Sequence, residues 1–118
     1  MEITLDILQK VIKKREPNSH KGNFCRVLLI GGNINYGGAI IMAASAAVHA
    51  GAGLVTVATN KENLSSLHSV VPEAMFINFF DKVSLTTAIS TADAVVVGPG
   101  LGTDNRAKEV LEVTLSNI

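Results

Sequence analysis

The chain has 118 residues, enough for one domain, with ten basic and ten acidic side chains, zero net charge and 17% charged residues. At this length roughly two-thirds of the surface exposed by the unfolded chain can be buried, so a real core is possible. The charge balance points to neither nucleic acid nor an acidic membrane surface as a partner.

The elements follow in chain order. Thr4 is placed to cap a helix running to about Arg15, with Leu5, Leu8, Val11 and Ile12 on one face. Its basic cluster, Lys10, Lys13, Lys14 and Arg15, suits the negative end of the helix dipole. The start, Met1 to Asp6, is acidic and has no apolar h-region, so no secretion signal is visible. Cys25 is the single cysteine. It cannot make an internal disulfide, which fits a reducing cytoplasm, and it reads as a buried structural thiol beside a strand.

Arg26 to Ile30 reads as a strand buried on both faces, and Ala39 to Ala50 as a helix apolar nearly all round, packed between layers. Leu54 to Thr59 is a second strand. Asn60 is a plausible cap for Lys61 to Val70. Met75 to Phe79 is a short third strand, Leu85 to Ser90 a short helix, and Ala94 to Val97 a fourth strand. Thr103 or Asp104 caps a last amphipathic helix, Ala107 to Ser116. The stretch Gly37 to Ala58 is long enough to span a membrane, but Gly51-Ala52-Gly53 divides an Ala-rich half from a β-branched half. A buried helix followed by a buried strand explains that change, and a membrane span does not. Alternating strands and helices, with strands of unbroken apolar character, predict an α/β fold: a parallel sheet with helices on both faces.

Glycines cluster where strands give way to helices. The segment from Gly31 to Ala39 is a near miss to two phosphate-loop patterns. Gly32 and Gly37 have P-loop spacing, but Gly38-Ala39 stand where a lysine and a hydroxyl residue belong. The dinucleotide fingerprint is not in register either. What remains is a helix N-terminus behind small residues, suited to an anion or a ribose. Spacing alone supports ligand contact and a packing turn equally. The segment Gly98-Pro99-Gly100-Leu101-Gly102-Thr103-Asp104 has the same strand-to-helix placement, with amides exposed at Gly100 and Gly102. Lys21, in His20-Lys21-Gly22, either meets a phosphate or lies in a solvated loop. His49 and His68 read as structural, and Glu73 as a solvent-exposed turn acid. No His or Cys pair has metal spacing, and no nucleophile triad can be nominated.

Taken in order, several segments resemble one family. They are His20-Lys21-Gly22, Val27 to Gly32, Tyr36-Gly37-Gly38-Ala39, Ala50 to Val57, Pro72 to Met75 and Ala92 to Gly102. The resemblance is to the N-terminal half of the ADP/ATP-dependent NAD(P)H-hydrate dehydratases, the carbohydrate-kinase-like YjeF proteins of the ribokinase-like superfamily. It covers about Ser19 to Asp104. It implies a ribokinase-like fold, incomplete here, with residues 1–118 the N-terminal portion of a single domain. It implies an enzyme that repairs hydrated NADH and NADPH. Such enzymes use ADP or ATP with Mg2+ to phosphorylate the hydroxyl on the nicotinamide ring, and loss of phosphate restores the reduced cofactor.

The resemblance also implies that Ala39, Gly100 and Gly102 touch the hydrated dinucleotide. The family's adenine-nucleotide site and general-base aspartate lie further on, in a Gly-Asp motif at a helix start. No catalytic residue or metal ligand is therefore assigned among these 118 residues, which alone are expected to be inactive and to associate or melt broadly. Family habit implies a homo-oligomer, and the lone cysteine with no visible secretion signal implies a cytoplasmic one. The rival readings are another ribokinase-like small-molecule kinase, of thiazole or pyridoxal type, and an inactive fragment acting as a binding or structural module.

Overall fold

The computed structural model describes residues 25–118. The expected first helix, Thr4 to Arg15, and the His20-Lys21-Gly22 segment lie outside the described residues. Four strands form one parallel sheet: β1 (Arg26–Ile30), β2 (Leu54–Thr59), β3 (Met75–Asn78) and β4 (Ala94–Val97), in the order β3-β2-β1-β4. Four helices alternate with them: α1 (Gly38–His49), α2 (Leu64–Val70), α3 (Lys82–Thr91) and α4 (Asn105–Ser116).

The order of the strands decides where the helices go. From β1 to β3 the chain steps one way across the sheet, and right-handed crossovers place α1 and α2 on one face. It then returns past β2 and β1 to β4, and the same handedness places α3 on the other. Leu29, Val55 and Val57 pack with Ile40, Ala44 and Leu67 on the first face. Leu28, Ile30 and Ala58 pack with Leu85, Ile89, Ala107 and Val110 on the second. Each large aliphatic side chain so buried contributes about 1.5–3 kcal/mol.

Helix starts follow side-chain caps. Asp104 Oδ1 accepts the Ala107 amide at 2.8 Å and starts α4 at Asn105, two residues before the expected position. Asp81 accepts both the amide (3.2 Å) and the hydroxyl (2.9 Å) of Ser84. These bonds to Ser84 hold the Asp81 carboxyl below the usual carboxylate range and extend α3 beyond the expected Leu85–Ser90. Asn60 caps as expected, accepting the Glu62 amide at 3.0 Å, but the first turn, Lys61–Asn63, is a 3-10 helix before α2 begins.

Three expectations need correction. Among the described residues α1 buries only Ile40 and Ala44, and Met42 is 73% exposed, so the helix lies against one layer. Its alanines made the pattern apolar all round without dictating a second contact. Strand β4 is an edge of the described sheet, and Val96 is 43% exposed instead of covered. Cys25 is half-buried instead of buried, at the rim where β1 begins.

Candidate functional site

Strand β1 is where the topology reverses: β2 and β3 lie to one side of it and β4 to the other. In open α/β sheets, the carboxyl ends of the strands at such a switch point form a crevice. The two loops that leave β1 and β4 there are the two glycine segments, residues 31–37 and 98–104. They are stitched together. Gly32 N donates to Pro99 O at 2.7 Å, Gly98 N to Ile30 O at 3.0 Å, and Asn33 Nδ2 to Leu101 O at 3.3 Å.

Small side chains permit this approach. Gly100 has φ +66°, and a Cβ there would lie 2.8 Å from Tyr36 O and 3.6 Å from Ala39 Cβ. Ala39 and Gly100, named from different segments of the sequence, are therefore neighbours across the crevice. Gly102 has φ +87°, and a Cβ there would lie 2.9 Å from Asn33 Nδ2. It sits at the outer lip, exposed like Ala39, whereas Gly100 is half-buried.

The two helices entering this region start differently. Gly37 caps α1 with no side-chain hydrogen bond, and the first turn holds no acidic residue. The positive end of the α1 dipole faces small residues, an arrangement that favours an anion. The start of α4 already has a carboxylate on it, that of Asp104. Its Oδ1 is committed to the cap.

Other residues shape the crevice that patterns in the sequence did not reveal. Asn33 Oδ1 accepts the amides of Asn35 (2.8 Å) and Tyr36 (2.9 Å), an Asx turn that folds the first loop back on itself. The Gly-Asn pairing after a strand carries that signal. Tyr36 is 64% exposed beside Gly100, and Ile34 is also exposed. Asn63 reaches the same loop from the turn after β2, and nothing in its local sequence foretells that.

The remaining candidates are accounted for locally. His49 Nδ1 lies 2.7 Å from Ser45 O in its own helix, and His68 Nε2 lies 3.0 Å from Ala74 O. Both make backbone contacts, as a structural reading requires. Glu73 is exposed in the turn before β3. Among the described residues no three His, Cys, Asp or Glu side chains are grouped to hold a metal, and no helix is long and apolar enough to cross a membrane. A groove of about 480 Å³ lies at the opposite, amino end of the strands. Leu54, Thr56, Met75 and Ile77 floor it and Val83 and Thr87 wall it, a mostly apolar lining whose one charged side chain is Arg26. Placement at the switch point, not size, selects the glycine crevice as the candidate site.

The protein-family comparison matches residues 27–118 to the carbohydrate-kinase family described as NAD(P)H-hydrate dehydratase. The chain belongs to this family. Among curated relatives, the ADP-dependent (S)-NAD(P)H-hydrate dehydratase of Lactiplantibacillus plantarum is 52% identical over 114 residues, 97% of this chain and 41% of that protein. Two solved structures share the fold. A ribokinase-like superfamily protein of Enterococcus faecalis has a TM-score of 0.87 and 46% identity, over 98% of this chain and 41% of its own. A hypothetical protein of Streptococcus mutans has a TM-score of 0.86 and 53% identity, over 100% of this chain and 43% of its own. The chain thus spans about two-fifths of the length of the dehydratase relatives it matches. Its parallel sheet is the corresponding part of a ribokinase-like fold.

Proposed function

We propose that this chain supplies the dinucleotide side of an NAD(P)H-hydrate dehydratase site, and that residues 1–118 are the N-terminal portion of one ribokinase-like domain. The observation that carries the reading is the meeting of two glycine loops at the β1/β4 switch point, with Gly100 against Ala39. Hydrated NADH or NADPH lies along Ala39, Gly100 and Gly102. Their lack of side-chain bulk brings the ligand close to the backbone, and its negative phosphates are drawn to the uncapped start of α1.

In this reading ADP or ATP phosphorylates the hydroxyl on the hydrated nicotinamide ring. Expulsion of that phosphate, with loss of a proton from the adjacent ring carbon, restores the ring double bond and so the reduced cofactor. The name of the L. plantarum relative supports the substrate and the nucleotide dependence. None of the described residues is assigned to proton transfer. They do not form a magnesium site either: Asp104 is the only carboxylate in the two loops, and it is held by the Ala107 amide. Mg2+ prefers a few carboxylate oxygens together with substrate phosphates, so it enters this reading with the nucleotide.

The test uses the complete protein with hydrated NADPH, Mg2+ and ADP or ATP, following the return of NADPH absorbance. Turnover is expected, and it should fall at least tenfold in Ala39→Trp through weaker binding of the hydrated cofactor. The exposed position of Ala39 leaves room for the larger ring in the crevice, so the melting temperature should change little. Absence of turnover in the parent protein, or normal binding by Ala39→Trp, would overturn the reading.

A further inference from the structure

We infer that Asn63 is a positioning residue for this crevice, acting from the end of β2 through the loop after β1; the ligand part of this inference rests on the dinucleotide reading above. Asn63 is only 7% exposed and Thr59, the last residue of β2, is fully buried. One amide group serves both neighbours. Asn63 Nδ2 donates to Thr59 Oγ1 at 3.1 Å and to Asn33 O, thirty residues away in the chain, also at 3.1 Å. Asn33 in turn donates through its own side chain to Leu101 O. A continuous line of hydrogen bonds thus joins the carboxyl ends of β2, β1 and β4 beneath the crevice.

The packing is as close as the bonding. A Cβ on Gly37, the cap of α1, would lie 2.6 Å from Asn63 Oδ1, and one on Gly32 would lie 2.6 Å from Thr59 Oγ1. The Thr59–Asn63 pair is therefore the surface against which both ends of the first glycine loop are set. A buried amide is costly unless its bonds are made, and when they are made it imposes one geometry where an apolar contact would tolerate several. Asn63 packs against the first glycine loop at Gly37 and bonds it at Asn33. Its effect on a ligand passes through the path of residues 32–37, and so through the amides at the start of α1.

This separates a positioning role from a merely stabilising one, because the nucleotide should not sense it. In the complete protein, Thr59→Val keeps the shape of the side chain but removes the oxygen that orients Asn63. Asn63→Asp keeps the volume but removes the donor to Asn33 O. Both should raise KM for hydrated NADPH about tenfold, the scale of a lost buried hydrogen bond, and leave KM for ADP unchanged. Amide exchange in residues 31–37 should quicken in both, and Thr59→Ser should restore the KM that Thr59→Val loses. A lowered melting temperature with unchanged KM for hydrated NADPH would overturn the proposal and leave the functional reading intact. An equal rise in KM for ADP would overturn it as well. A parent protein that does not act on hydrated NADPH would instead overturn the functional reading, and the ligand role of Asn63 with it.

Discussion

The two loops that build the crevice share a local plan and differ in how they end. Each leaves a parallel strand through glycines and enters a twelve-residue helix. After β4 the helix start is closed by Asp104, which satisfies an amide and places a negative charge at the positive end of α4. After β1 the corresponding place is Gly37, with no side-chain bond and no acid in the next turn. A good N-cap is usually worth about 0.5–2 kcal/mol over alanine, but a Cβ at Gly37 would lie 2.6 Å from Asn63 Oδ1, so the close approach of Asn63 keeps a capping side chain out. The difference teaches that α4 is anchored by a side-chain cap, whereas the start of α1 carries neither a cap bond nor an acid.

The comparison can be broken most forcefully at the contact between the loops. Gly100 combines φ +66° with a close approach to Tyr36 O. Gly100→Val in the complete protein should cost about 2 kcal/mol or more, from left-handed strain and from parting the loops, and should abolish binding of the hydrated cofactor. Thermal melting and a binding titration read the two effects, and a stable, binding-competent variant would show that the loops need not touch. Gly102 is similarly strained for any larger residue, at φ +87°, so Gly102→Val would lower stability along with binding. For that reason Ala39 is the cleaner probe of ligand contact.

Next in size is the cap itself. Asp104→Ala should lower stability by about 1 kcal/mol and change KM for hydrated NADPH little, because the α4 start is anchored and not offered to a ligand. Denaturant unfolding with parallel kinetics checks this. A large KM effect with intact stability would place the ligand on α4.

The smallest and sharpest test adds to α1 what it lacks. A Cβ on Gly38 meets no atom within 4 Å, so Gly38→Asp introduces a carboxylate in the first turn without a clash. It should hold or raise the melting temperature, through a contribution of about 0.3–1 kcal/mol from the dipole, while weakening binding of the anionic cofactor severalfold. The ordinary expectation, that a stabilising change leaves function alone, is reversed here. Unchanged binding would mean that the α1 start does not face the phosphates.

Much of this was legible in the chain. Short Val, Leu and Ile runs separated by glycines predict parallel strands, and β1, β2 and β4 occupy the expected residues. Short apolar runs and turn chemistry are local properties, and local properties survive folding. The two glycine segments were likewise visible as strand-to-helix turns. Their juxtaposition was not, because the β3-β2-β1-β4 order is decided by crossovers tens of residues long and by which apolar faces they bury. Helix ends moved by two or three residues where a cap, Asp81 or Asp104, outweighed the apolar periodicity.

By itself, then, the sequence determined the element types, the open α/β class and the two glycine-rich strand-to-helix turns, while the choice of Ala39, Gly100 and Gly102 came from the family resemblance. Backbone conformation and apolar patterning are written in neighbouring residues. Only the tertiary structure decided that Gly100 lies against Ala39, that Asn33 ties one loop to the other, and that Asn63 supports the first loop from β2. Those are contacts between residues 30 to 68 apart in the chain, and their energies exist only once the sheet has brought the strand ends together.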